Sequence, residues 1–112
     1  MFTAMTDAAQ LLLSTVPDRE TGERIAAALV TERLAACVNI LPGVTSIYEW
    51  QGEVQRDGEC LLLIKTRKSL YSRLESRLLA LHPYELPELL AVPLEGGLAG
   101  YLQWIQDNTG SN

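Results

Sequence analysis

A chain of 112 residues is expected to form one domain, 1–112, with an ordered core over about 9–107. At this size a fold buries roughly two-thirds of the surface its unfolded form exposes, so a core without disulfide staples is attainable. Apolar content is 47 % with no run near the roughly 20 apolar residues of a membrane span, and a net charge of −5 disfavours nucleic acid as a partner.

The start, 1–7, reads as frayed. Met1 to Gln10 shows no basic region and no long apolar region, so no secretory signal is expected. Cys37 and Cys60 form no C-x-x-C, and free thiols in a reducing cytosol follow, hence a cytoplasmic protein. Gln10 to Val16 is a short apolar run of buried-strand type, ended by Pro17-Asp18. Asp18 is placed to cap a helix, with Glu20 in its first turn. Ile25, Ala26, Leu29, Val30 and Leu34 then mark one helical face, which predicts a helix from Arg19 to Leu34.

Cys37 to Arg67 carries the organising feature, a long hairpin expected to supply the central strands of a small sheet. Val44, Ser46, Tyr48 and Trp50 share one side by the period of two, and Pro42-Gly43 predicts a bulge. A polar connection is expected between Gly52 and Gly58, with Asp57-Gly58 as the strongest turn signal. Leu61 to Ile64 is the continuous apolar run of a strand covered on both faces. Leu70, Leu74, Leu78 and Leu81 return to helical spacing, with Ser69 or Thr66 as cap and Pro83 as stop. Leu86 to Leu94 reads as an edge strand bounded by prolines. Beyond Gly96-Gly97, Leu98, Tyr101, Leu102 and Ile105 form a short third helix, and the tail from Asn108 reads as loose.

The order β-α-β-β-α-β plus one helix predicts an α+β fold: a ferredoxin-like sandwich with an antiparallel sheet, a long central hairpin and an extra C-terminal helix. Two helices cover one sheet face. The other must hide Tyr48 and Trp50, which predicts an oligomer.

Several segments together resemble the CutA proteins, the divalent-cation tolerance family: Leu34-Ala-Ala-Cys37-Val-Asn, Pro42-Gly43, Tyr48-x-Trp50-x-Gly52, Leu63-Ile-Lys65-Thr66 and His82-Pro-Tyr-Glu-Leu-Pro-Glu-Leu89. The resemblance spans about Leu11 to Ile105. It implies a tight homotrimer, similar in architecture to the PII signalling proteins, that serves copper or other divalent-metal tolerance and is not an enzyme. Copper-binding members offer a Cys on the first strand and two adjacent His before Pro-Tyr. By position these are Ser14, Leu81 and His82 here, so only His82 keeps a ligand and any divalent cation, copper included, would be held weakly.

His82, the single histidine, is either a metal ligand or a ligand-contacting group at a subunit boundary, with Glu88 beside it, or a helix-terminal residue bonded to carbonyls. Cys37 as a nucleophile would need His82 as base; packing is the plainer reading, for Cys60 too. Glu59 and Lys65 point to one face of their strand. With Trp50 and Tyr84 as walls, and Glu88 in the same set, they either line an inter-subunit cleft for an anion or zwitterion, as a PII-like module would have, or serve in an inter-strand or inter-subunit ion pair that fixes register. The basic group Arg67, Lys68, Arg73 and Arg77 reads as a solvated helix face.

Overall fold

The computed structural model describes residues 7–110. Its elements are β1 (Ala9–Val16), α1 (Arg19–Thr31), β2 (Cys37–Trp50), β3 (Glu53–Arg67), a 3-10 turn (Lys68–Leu70), α2 (Tyr71–Leu81), β4 (Leu90–Pro93) and α3 (Ala99–Asp107). The sheet has the order β2-β3-β1-β4 with every pair antiparallel. This is the ferredoxin-like α+β arrangement that the element order predicts. β3 and β1 are the inner strands. β2 lies at an edge, not in the centre as expected, because β1 takes the far side of β3.

Alternation decides where the core sits. Leu12 and Val16 of β1 and Cys60, Leu62 and Ile64 of β3 face the helices and pack with Ile25 and Leu29 of α1 and Leu74 and Leu78 of α2. Asp18 caps α1 by accepting the Thr21 backbone N–H at 2.8 Å, and this bond holds its carboxyl below the usual range. α1 stops at Thr31, three residues short of the expected Leu34. Arg33 adopts a φ of 60°, and Leu34 N–H closes back on the Leu29 carbonyl at 2.9 Å. This left-handed ending tucks Leu34 into the core after the helix is over.

Neither predicted cap serves α2. The Thr66 hydroxyl donates to the Leu34 carbonyl, while Ser69 gives its N–H and hydroxyl to Asp7, so the helix begins through a 3-10 turn. β4 covers only Leu90–Pro93 of the predicted Leu86–Leu94. The cause is Ser14, whose hydroxyl captures the Glu88 carbonyl at 2.7 Å and pulls that stretch off the ladder.

The hairpin holds the largest departure from the sequence reading. Its turn is the two-residue Gln51-Gly52, with φ of 53° and 86°, the primed geometry that matches strand twist. Asp57-Gly58 lies inside β3, opposite Ser46 and Thr45. The bulge does fall at Pro42-Gly43, where pairing shifts between Leu41 and Val44. One extra residue there changes which face the even positions take. Val38 and Ile40 pair with Ile64 and Leu62 on the helix side, whereas Val44 pairs with Glu59 on the open side. The hairpin beyond the bulge becomes an arm, and the molecule measures 54 × 26 × 22 Å with a radius of gyration of 15.2 Å, against about 13 Å for a compact chain of this length.

The described ends, Asp7 and 108–110, are tied down rather than loose, and the rest of the expected loose tail, 111–112, lies outside the described residues. Thr109 is buried. Arg67 donates to its hydroxyl at 2.9 Å and its carbonyl at 2.8 Å, and Arg33 donates to the carbonyls of Gly110 and Asp107 at 2.7 and 2.8 Å. Gly110 has a φ of 80°, and a Cβ there would lie 1.8 Å from Arg67 Nη2. Asp7 also pairs with Arg67, at 3.3 Å. Arg67 is therefore a clasp and not part of a solvated helix face. The remainder of the expected frayed start, 1–6, lies outside the described residues.

Candidate functional site

Beyond the bulge, β2 presents Ser46, Tyr48 and Trp50 on the same side of the sheet as Glu59. The second wall comes from the segment after α2, where Pro83 ends the helix and the chain runs back over the sheet. His82 anchors that segment. Its Nε2 lies 2.8 Å from the Thr15 carbonyl, which only accepts, so Nε2 carries the proton and donates. Nδ1 then accepts the Tyr84 N–H at 3.1 Å, and the two rings sit 4.7 Å apart. The Ser14 bond to the Glu88 carbonyl pins the far end.

Between these walls lies a cavity of about 790 Å³, lined by Tyr48, Trp50, Asp57, Glu59, Tyr84, Glu85 and Glu88 together with Thr15, Ser46, Ile47, Pro83 and Leu86. The Tyr84 hydroxyl donates to Glu59 at 2.6 Å, and the Tyr48 hydroxyl donates to Asp57. Burial first, then the bond to Glu59, raises the Tyr84 pKa above its ordinary value. The bond to Asp57 does the same for Tyr48. Both phenols therefore stay protonated donors.

Four of the five expected cleft residues, Trp50, Glu59, Tyr84 and Glu88, come together here. Lys65 does not. It lies six residues further along β3, about 20 Å away at the rise of a strand, with its ammonium on Asn39 Oδ1 and 3.7 Å from Cys37 Sγ. Within the chain neither residue forms an inter-strand ion pair among the described residues: Lys65 bonds to Asn39, and Glu59 accepts from Tyr84. Tyr48, Asp57 and Glu85 were not expected as cleft residues. Asp57 was hidden by its resemblance to a turn; once the turn is set at Gln51-Gly52, it falls diagonal to Tyr48 on the open face.

Cys37 and His82 make no catalytic pair, since both imidazole nitrogens are engaged by Thr15 and Tyr84. Cys60 is buried as packing. A shallower hollow of about 540 Å³ lies beside Arg73 and Arg77. Arg77 is taken by Glu32 at 2.8 Å, an ion pair that lowers the Glu32 carboxyl pKa. The solvated helix face holds for these two arginines.

Residues 10–108 match the family described as CutA1 divalent ion tolerance protein. The chain belongs to that family. A divalent-cation tolerance protein CutA of Thermus thermophilus is 54 % identical over 101 residues, covering 90 % of this chain and 98 % of the relative. Its solved structure superposes with a TM-score of 0.89 over 91 % of this chain and 99 % of that one. The CutA1 structure from Oryza sativa reaches 0.92 at 45 % identity, covering 96 % and 98 %. A chloroplastic CutA of Arabidopsis thaliana is 52 % identical over 95 residues, 85 % of this chain but 52 % of that longer protein.

Membership of the CutA1 family raises the question of copper, and the three family positions do not fit it. The Ser14 hydroxyl is spent on a carbonyl, Leu81 packs against the core, and His82 has no free lone pair. Among the described residues, no group of three or more His, Cys, Asp or Glu is arranged to hold a metal ion. Binding at His82 would first require Nδ1 to release the Tyr84 N–H.

Proposed function

We propose that the chain acts without catalysis, as a homotrimeric binding or structural protein in divalent-cation tolerance. The arm carries this reading. Ile47, Tyr48, Trp50 and Val54 stand exposed on it, Val54 at 76 %, and Leu98, Tyr101 and Trp104 add a second apolar surface along α3. A monomer rarely leaves so much apolar surface to water. Edge strands β2 and β4 at opposite sides of the sheet suit head-to-tail contacts that close into a ring. Three copies is the number the family resemblance implies. Light scattering at micromolar concentration is expected to give one species of three chains; a monomer would overturn the assignment.

Copper specificity has little support in the donor set, and in this reading any copper is held weakly through His82. Cys37 and Cys60 are unpaired, which fits a reducing compartment, and we assign the chain to the cytoplasm. No helix among the described residues is long and apolar enough to cross a membrane.

A second reading is favoured by one observation, the convergence of Trp50, Glu59, Tyr84 and Glu88 on a single cavity. This is a PII-like trimeric signalling module that binds a small molecule in the clefts between subunits, which these residues would border.

A further inference from the structure

We propose that the hollow between the end of α1 and the outer side of α2 binds the phosphate group of a small organic phosphate monoester. The inference goes beyond both readings above and does not depend on the cavity beside the arm. Glu32 and Leu34 border the hollow from the end of α1, and Ser72, Arg73, Ser76, Arg77 and Ala80 border it from α2, around a volume of about 540 Å³. None of these residues belongs to the arm, to α3 or to the edge strands β2 and β4, the parts that the trimer reading places in contact. The hollow opens on the helix layer, and that reading assigns no neighbour to it.

The lining suits an oxyanion. Ser72 and Ser76, like Arg73 and Arg77, stand four residues apart on α2, which sets each pair side by side with Cβ atoms about 5–6 Å apart. Glu32 is the one carboxylate of the lining. Arg77 takes both its oxygens through Nε alone, at 2.8 and 3.0 Å. Neither terminal nitrogen of Arg77 has a hydrogen-bond partner among the described residues, nor has the Arg73 guanidinium or the hydroxyl of Ser72 or Ser76. Glu32 thus steadies the Arg77 fork and leaves its outer N–H groups spare, so less freedom is lost when a ligand takes them. Two guanidinium groups against one carboxylate leave the lining positive, in a chain whose net charge is −5.

A carboxylate ligand is satisfied by a single guanidinium fork. A phosphate monoester offers three acceptor oxygens and about two negative charges at neutral pH, so it can engage both arginines and a hydroxyl together. Leu34 and Ala80 add apolar lining for the organic body of the ester.

The test is an NMR titration of the intact assembled protein at constant ionic strength and about pH 7.5, where a monoester is mostly dianionic. Phenyl phosphate, benzoate and inorganic phosphate are added in turn, and the backbone amides of Leu34, Ser72, Arg73, Ser76 and Arg77 are followed. Phenyl phosphate is expected to saturate these shifts in the millimolar range and to bind about fivefold or more tightly than benzoate. Inorganic phosphate is expected to bind about twofold or more weakly than the ester, for want of a body against Leu34 and Ala80. Arg73→Gln and Arg77→Gln, with native mass and melting, are expected to weaken phenyl phosphate about fivefold. Glu32→Gln keeps an acceptor for Arg77 but removes the competing charge, and is expected to tighten the ester severalfold. Glu23→Gln, the same charge change elsewhere on α1 beside Arg19, is expected to leave it unchanged. Shifts that stay linear up to about 50 mM overturn the site. So does full affinity in both arginine variants, or equal tightening by the two glutamate variants, which would mark plain attraction to surface charge. Benzoate as tight as phenyl phosphate overturns the phosphate assignment, and inorganic phosphate as tight overturns the organic body.

Discussion

The two ends of the hairpin are built from one pair of strands and behave as different materials. Before the bulge, Val38, Ile40, Leu62 and Ile64 lie under α1 and α2 and belong to a core that a single chain completes. After it, Tyr48, Trp50 and Val54 lie outside the core and stand exposed. Hydrophobic content does not distinguish the two regions. The extra residue at Pro42-Gly43 does, because it re-aims every side chain that follows. Stability resides at one end, and at the other apolar surface is left for recognition.

The comparison is broken most severely from the body. Leu62→Ala, at a fully buried site, is expected to cost about 2–5 kcal/mol, whereas Val54→Ala in the arm should change the unfolding of a single chain by less than about 0.5 kcal/mol. Denaturant melts of the two variants check this, and equal losses would make the arm part of the core. Trp50→Ala should act in the opposite sense, leaving the fold intact while weakening assembly by roughly 2 kcal/mol, as a central aromatic anchor does. Mass measured over a dilution series would show dissociation at higher concentration than in the parent.

A third experiment sharpens the status of the three positions where copper-binding members offer ligands. Ser14→Cys with Leu81→His restores the ligand types of the copper-binding pattern, and copper affinity by calorimetry should rise more than about tenfold as soft and borderline donors replace a hydroxyl and a methyl group. No rise would mean that the three positions do not converge. The smallest effect concerns Tyr84. Its pKa is raised in the fold from 10.0, so its contribution is fully present below pH 10.0 and is lost as pH climbs toward the higher folded value. The parent's melting temperature should therefore fall more steeply above pH 10.0 than that of Tyr84→Phe, measured by calorimetric scans at stepped pH.

Much of the body was legible in the sequence because its signals are local and periodic. The α1 cap at Asp18, the helical stripe Leu70–Leu74–Leu78 and the Pro42-Gly43 bulge each depend on neighbours a few residues away. The turn was misplaced because Asp57-Gly58 has stronger turn chemistry than Gln51-Gly52; pairing along the whole hairpin outweighs that local preference. Lys65 was assigned to the cleft on parity alone, which fixes a face but not a position along it. Ser14 and His82 carried a metal reading from the resemblance, and their hydrogen bonds to Glu88, Thr15 and Tyr84 join residues more than sixty apart in sequence or depend on a backbone path that no pattern encodes.

The clasp at the end of the chain bears on how the protein is made. Arg33 and Arg67 emerge from synthesis well before their acceptors on Asp107, Thr109 and Gly110, which lie 42 to 77 residues further along the chain. Until then the two guanidinium groups lack these acceptors, and α3 cannot seat. Closing these long loops carries the entropic cost of bringing distant segments together. The native arrangement is therefore sealed only once residues 107–110 have been made, and the interval before that is when the bare arm is most open to the wrong neighbour.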